Sequence, residues 1–460
     1  MPNEGTDAVN RVITYSNLYS HEQDVYSLPG FTPQIIDEAY LSNLGVQTLP
    51  SPETLSKLTE GSRIFLNRYQ KKTVIPISRA VLTEVDYETY DTTIHNYTGR
   101  CPTLTFEINP VVGCNVGCQY CLVTDGVHEQ EIKILDNYHL YVRKLLKEMN
   151  GTPTANVTKE DLQEKNRLLA ELARAIESAP EKKLEIERKI TELSKGKNWN
   201  HYYYFSPKTE ALQEPTLVTG LAHRILREFI EHFKEYPDSN ARLFIASKAG
   251  IRHLMAQYEG ESLLDLFKEL KDKMQYNVSV SIMPSEYRNI LEPYAAPIED
   301  RLKAVDACRE NGILSDSALV QPIFTPYLTQ EHIKEFFDNL HAHGIINYKP
   351  EFLTACMENL AMLGQWLGYF DKQMEKALYE DYIMPSNADH KKQRGRTAPD
   401  RALSLENIEK MKEYTDSIGM TTSICYWVRK QLQISNEVIP VINENGYQCL
   451  GYQSGLFIHE

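Results

Sequence analysis

From residue 103 onward the apolar positions of this chain alternate between two spacings. Short runs rich in β-branched and aromatic residues, bounded by Gly, Pro, Asn or Asp, predict strands; longer stretches with apolar residues three and four apart predict helices. LTFEINPVVG predicts a strand over 103–112, followed by a cysteine-bearing loop and a helix over 132–149. The rhythm resumes at HYYYFS (strand), LVTGLAHRILREFIEHF (helix), ARLFIAS (strand), LLDLFKELKDKM (helix) and YNVSVSIM (strand). IEDRLKAVDACREN, ALVQPIF, LTQEHIKEFFDNLHAHG and INYKPEFLTA continue it as helix, strand, helix and strand. Repeated alternation of this kind predicts an α/β fold with a parallel sheet buried on both faces. Six strands make it an open, partial barrel of the TIM-like (β/α)6 kind.

Outside that core the pattern is less regular. Residues 1–100, an N-terminal accessory region, mix apolar runs with turn residues and include the strand-like KKTVIPISRAVLTEV. Within the barrel region, 101–356, a stretch rich in Glu, Lys, Leu and Ala over about 157–196 has Leu168, Leu169, Leu172 and Ile176, then Pro180, then Leu184, Ile186, Ile190 and Leu193 at helical spacing. It predicts an inserted helical hairpin. Residues 357–460 form a C-terminal extension: a helical stretch, the charged loop NADHKKQRGRTAPD, another helix and the strand MTTSICYW.

Composition narrows the function. With 42% hydrophobic and 24% charged residues the chain is that of an ordinary globular protein. A net charge of −14 works against extended contact with nucleic-acid phosphates, so nucleic acid is a disfavoured partner, and HKKQRGR is expected to be a solvated loop. The first residues lack the basic and apolar regions of a signal peptide, and no apolar run is long enough for a membrane span. The expectation is a cytoplasmic protein with no membrane contact. Eight cysteines are too few for a disulfide scaffold in a chain of this length; three of them crowd together while Cys101, Cys308, Cys356, Cys425 and Cys449 are scattered.

The crowded three are Cys114, Cys118 and Cys121, spaced C-x3-C-x2-C on a loop containing Gly113 and Gly117. Thiolates at this spacing can hold three corners of a cubane cluster, and a fourth iron without a protein ligand is open to a chelating cofactor. A zinc site, or a cluster completed by Cys101, would use the same residues differently; zinc ordinarily takes four ligands in paired knuckles, and no second C-x2-C follows.

C-x3-C-x-aromatic-C just after a strand resembles the signature of the radical S-adenosylmethionine (SAM) superfamily. Matches over roughly 103–350 are similar to its spore photoproduct lyase-like branch. The resemblance implies a [4Fe–4S] cluster on Cys114, Cys118 and Cys121 and SAM on its open iron. It places Ser206, Lys208, Thr209 and Glu210 at the SAM aminoacyl group, Lys248 opposite the SAM carboxylate, and Tyr120 beside the adenine. LEPYAAPIEDRL, with seven residues between its L-E-P and its R-L where the branch's L-E-P-x-x-x-x-x-x-R-L segment has six, resembles that segment, and the resemblance makes Ser281 and Glu292 candidate ribose or aminoacyl contacts. One departure matters: photoproduct lyases carry a hydrogen-returning cysteine near the segment that YYYFSPKTE matches, and none stands there.

A thiol elsewhere would have to serve. Cys356, at the end of the predicted sixth strand EFLTAC, and Cys425, in the extension, are the candidate catalytic thiols, whereas Cys308 lies on a predicted helix as an inert core residue. The function expected is hydrogen abstraction from a ribosomally made precursor peptide, including tyramine excision. A small leader-binding protein and a flavodoxin or ferredoxin-type electron donor are the partners this implies. A nucleic-acid lyase or repair enzyme and an iron–sulfur sensor are the competing functions.

Overall fold

The aromatic and β-branched runs between residues 201 and 352 form strands, and the intervening amphipathic stretches form helices, because each strand buries both faces and each helix buries one. The computed structural model describes residues 11–19, 28–70, 79–88, 105–121, 123, 132–152, 157–175, 180–194, 200–383, 396–424, 428 and 432. The main sheet has seven strands lying side by side in chain order: β1 Thr105–Ile108, β2 His201–Phe205, β3 Ala241–Ser247, β4 Met274–Ile282, β5 Ser317–Ile323, β6 Asn347–Phe352 and β7 Thr421–Thr422. All six pairings are parallel. The seventh strand corrects the expected six: Thr421 and Thr422 pair with Asn347 and Tyr348, so part of the C-terminal extension belongs to the sheet.

The register sorts the side chains onto two faces. On one, Phe106, Tyr203, Phe205, Leu243, Ile245, Val278, Val280 and Val320 share a core with Phe229 of helix Leu221–Glu235, Phe267 of Leu263–Leu270, Leu302 and Cys308 of Ile298–Glu310, and Phe337 of Gln330–Ala342. On the other stand Glu107, Arg242, Gln275, Asn277, Ser279, Ser281, Asn347 and Lys349, polar yet buried. Cross-strand partners keep them on one side: Tyr202 lies opposite Arg242, Ser279 opposite Leu319, and Leu319 opposite Lys349. A polar face withdrawn from water is the feature that positions the site.

Three expected elements divide. The strand over 103–112 breaks at Pro110, which has no N–H to donate to a ladder; Val111–Val112 then joins a separate sheet with Arg11–Thr14, Arg79–Thr83 and Ile132–Leu135. The helix over 132–149 is in fact strand Ile132–Leu135, whose Ile132 and Ile134 alternate inward, followed by helix Tyr138–Met149. The stretch 360–382 is two helices, Met357–Phe370 and Lys372–Ile383, parted at extended Asp371. The helical hairpin appears as Lys159–Ala175 against Pro180–Ser194, with Leu168 and Ile186 as its own small core. No helix among the described residues is long and apolar enough to cross a membrane.

A second core joins the two ends of the chain. Leu58 and Phe65 of helix Pro52–Gln70 pack with Leu363 and Trp366 of Met357–Phe370 and with Tyr379 and Tyr382, and Val116, Cys118 and Tyr120 of the cysteine loop belong to the same cluster. Gln365 binds both backbone groups of Gln34, accepting from its N–H at 2.6 Å and donating to its carbonyl at 2.8 Å.

Phe205 is wholly buried between β2 and the outer helices. Phe205→Ala is expected to destabilise the fold by about 3–5 kcal/mol, seen as a lower denaturant midpoint at unchanged secondary structure; an unmoved midpoint would show that this core does not hold the sheet.

Candidate functional site

Past β1 the chain turns through Gly113 (φ 91°) and Gly117 (φ 67°), left-handed positions that glycine takes at no steric cost, and so doubles back as the loop carrying Cys114, Cys118 and Cys121. Neighbouring loops hold it. Asn115 N–H donates to Gln213 Oε1 at 3.0 Å and its side-chain amide to Glu214. Gln119 N–H donates to the Leu291 carbonyl at 2.9 Å, and Tyr294 N–H to that of Val116 at 3.3 Å. The cysteine loop therefore sits against the segments that follow β2 and β4, at the carboxyl edge of the sheet, where ligands bind in parallel α/β folds.

Cys118 is buried, and Cys114 and Cys121 are half-buried. Burial pushes Cys114 up to about 12, partly offset by the Glu210 N–H that donates to its Sγ at 3.4 Å. Burial raises Cys118 further, against the pull of the Lys248 ammonium. Cys114, Cys118 and Cys121 act on one another electrostatically, so ionising all of them requires a strong local positive charge, which metal supplies. No three His, Cys, Asp or Glu side chains among the described residues are close enough to hold a single metal ion. Cys101 lies outside the described residues.

Glu292 ties this loop to the sheet. It is fully buried; one carboxylate oxygen accepts from the Tyr120 hydroxyl and, at 3.1 Å, from Ser281 Oγ, while the other pairs with Arg301, also fully buried. Arg301 further donates to the carbonyls of Ala296 at 2.6 Å and Ser279 at 2.9 Å. Burial alone would raise the Glu292 carboxyl, but Arg301, Lys248 and Arg288 outweigh it and hold the group at about 2. Ser281, Glu292 and Tyr120 are thus brought together, with both oxygens of Glu292 engaged by protein groups.

The remaining SAM-site candidates divide by their partners. The Glu210 carboxylate accepts from Ser247 Oγ at 2.5 Å, Lys248 N–H at 2.7 Å and Leu212 N–H at 3.1 Å, which makes it a brace between the loops after β2 and β3. Lys248 reaches Ser279 Oγ at 3.3 Å and stands 5.7 Å from the Tyr120 ring centre, pointing its charge at the cysteine loop. Lys208 instead pairs with Glu107 of the buried polar face at 2.8 Å. Ser206 takes a left-handed φ of 54°, rare for a residue with a side chain; its hydroxyl and that of Thr209 are buried without a hydrogen-bond partner. Unmade bonds of this kind suit a polar ligand.

Cys356 does not end β6, which stops at Phe352. It lies in the short strand Ala355–Cys356, paired with Arg396–Thr397, and caps helix Met357–Phe370 by accepting the Asn359 N–H at 3.4 Å. Leu353 and Thr354 separate the two strands, so the run EFLTAC is not continuous. Cys425 lies outside the described residues. The residues that sequence reasoning passed over are Arg301, Asn115 and Glu214. Arg301 carried a signal, being the Arg of LEPYAAPIEDRL; Asn115 and Glu214 carried none.

Fold and site together define an α/β protein with a seven-stranded parallel sheet and a three-cysteine loop against its carboxyl edge. The chain is similar to a protein of the Acidianus two-tailed virus described as uncharacterized protein ORF301, with 33% identity over 105 residues, 22% of this chain and 34% of the viral one. The chain thus spans about a third of that relative's length. No family model and no solved structure matches it.

Because the Glu292 carboxyl falls to about 2 from an ordinary 4.5, it stabilises the fold above about 4.5 and loses that contribution as pH drops toward 2. Glu292→Gln is expected to be less stable than wild type near neutrality, with the gap in melting temperature narrowing below pH 4.5. A gap independent of pH would mean that the carboxylate is not held ionised.

Proposed function

We propose that the chain is a radical SAM enzyme, with the parallel sheet as a partial barrel of the TIM-like type and Cys114, Cys118 and Cys121 as ligands of a [4Fe–4S] cluster. One arrangement supports this proposal: the loop bearing Cys114, Cys118 and Cys121 has the Lys248 ammonium beside Cys118 and the Glu210 N–H on Cys114, while the hydroxyls of Ser206 and Thr209, after β2, are buried without a hydrogen-bond partner among the described residues. Strands placed in strict chain order support the barrel, since right-handed crossovers that always step the same way put every helix on one face and let the sheet curl around the other. The buried polar face is the inside of that curl.

A reduced [4Fe–4S] cluster held by Cys114, Cys118 and Cys121 would supply one electron to the sulfonium of bound SAM, whose cleavage to methionine would provide a 5′-deoxyadenosyl radical able to take a hydrogen atom from substrate. The chain's own residues bind and orient. Lys248 offers a cation to a carboxylate beside Cys118, and Ser206 and Thr209 offer hydroxyls to a polar aminoacyl group. Tyr120, fixed by Glu292, walls the site with an aromatic face. Burial excludes water, which would otherwise screen these contacts.

The substrate proposed is a precursor peptide, modified at backbone or side chain, with tyramine excision as one outcome, a small leader-binding protein as partner and a flavodoxin or ferredoxin-type protein as electron donor. A net charge of −14 and the missing thiol in YYYFSPKTE weigh against a photoproduct in DNA.

Anaerobically reconstituted and reduced, the wild-type protein is expected to convert SAM to 5′-deoxyadenosine, and Cys118→Ala to abolish it; full cleavage by that variant would refute the proposal. Cys356→Ala is expected to form less product per SAM cleaved. An unchanged ratio would remove Cys356 from hydrogen return.

A further inference from the structure

The segment that follows β4 holds a guanidinium without an acid. Helix Ser285–Leu291 stands at the carboxyl edge of the sheet, and the Leu291 carbonyl at its end accepts the Gln119 N–H of the cysteine loop at 2.9 Å. Tyr287, Ile290 and Leu291 pack in one core with Val116, Cys118 and Tyr120. Phe324, just past β5, belongs to the same core, and its ring meets that of Tyr120 edge-on at 6.1 Å. Arg288, whose carbonyl accepts the Glu292 N–H at 2.7 Å, is therefore one turn from the contact that ties its helix to the loop.

Its own side chain is poorly matched. Nη2 donates to the Met283 carbonyl at 3.1 Å, while Nε is buried with no hydrogen-bond partner. No carboxylate among the described residues pairs with it: Glu292 is paired with Arg301, and Glu286, two positions before, accepts from Ser285 Oγ at 3.2 Å. Burial lowers the Arg288 pKa, yet a guanidinium does not release its proton in proteins, so the half-buried charge stays. A cation drawn out of water without a counter-ion is costly, and its planar fork matches a carboxylate edge to edge. The net charge of −14 repels a dianion more strongly than a monoanion, which favours a carboxylate over a phosphate.

We propose that Arg288 is a substrate-binding residue: it takes a carboxylate carried on an apolar group, beside the cysteine loop, with the aromatic side chains of that core as the apolar surroundings. Calling the ligand a substrate rests on the radical SAM reading of this edge; the binding of the anion does not. The subsite gives the substrate a handle remote from the reacting atoms and so fixes which way it lies at the sheet edge.

Wild type, Arg288→Gln and Arg288→Lys, each as the full chain, are titrated calorimetrically with hydrocinnamate, with its neutral amide and with phenyl phosphate. Wild type is expected to bind hydrocinnamate and not the amide. Arg288→Gln is expected to bind hydrocinnamate about tenfold more weakly, the loss of one hydrogen-bonded charge. Arg288→Lys, which keeps the charge, is expected to bind it more tightly than Arg288→Gln does. No binding by wild type, equal affinity in wild type and Arg288→Gln, or an amide bound as tightly as the acid would overturn the subsite. Tighter binding of phenyl phosphate than of hydrocinnamate would overturn its assignment to a carboxylate. Because binding is read without SAM, a protein that binds hydrocinnamate through Arg288 but does not cleave SAM would overturn the radical SAM reading and leave the anion subsite standing.

Discussion

A carboxylate that cannot reach water holds the cysteine loop to the sheet. Glu292 is surrounded by Arg301, Tyr120 and Ser281, and each of those is fixed by a different element: the helix Ile298–Glu310, the loop, and β4. Separating two charges in such a place costs far more than making the pair gains, about 3–5 kcal/mol when one partner is lost. The pair is therefore better understood as a device for alignment than as a source of stability. Through it, Tyr120 has one orientation, and Lys248, drawn toward the same carboxylate, has one direction in which to place its charge.

The same logic runs through the sheet. A parallel sheet ordinarily buries apolar residues on both faces, but here one face carries Glu107, Arg242, Asn277, Ser279 and Lys349. Those groups are kept polar at the expense of hydrophobic burial, and the carboxyl edge above them gathers the loops that bear Cys114, Glu210, Lys248 and Glu292. The helices on the opposite face supply the apolar core that stability needs. Stability and chemistry are thus divided between the two sides of one sheet.

The terminal regions complete the site rather than decorate it. Phe65 and Trp366, from opposite ends of the chain, pack in one core with Cys118 and Tyr120, and Asn17 accepts a hydrogen bond from the Asn115 side chain. Burial of the thiols, on which their chemistry depends, is supplied largely by residues whose own sequence shows no motif. The sheet and its helices without those regions would leave the loop open to water and oxidation.

Much of this was written locally. The alternation of strand and helix from residue 201 to residue 352, the hairpin 159–194 and the C-x3-C-x2-C loop could be read from the sequence because periodicity and short spacing are set by neighbouring residues. The seventh strand is legible only as a short β-branched run, since Thr421 and Thr422 become strand by pairing with β6. Period two puts Ser279 and Ser281 on one face, but that this face also carries Glu107, Arg242 and Lys349 and is withdrawn from water is decided by the register of the sheet. Tertiary structure alone decided that Tyr120 meets Glu292 across 172 residues and that Asn17 meets Asn115 across 98. Contacts so far apart in the chain leave no local spacing to read; they exist because the fold removes water between their partners and makes each unmatched charge or hydroxyl costly.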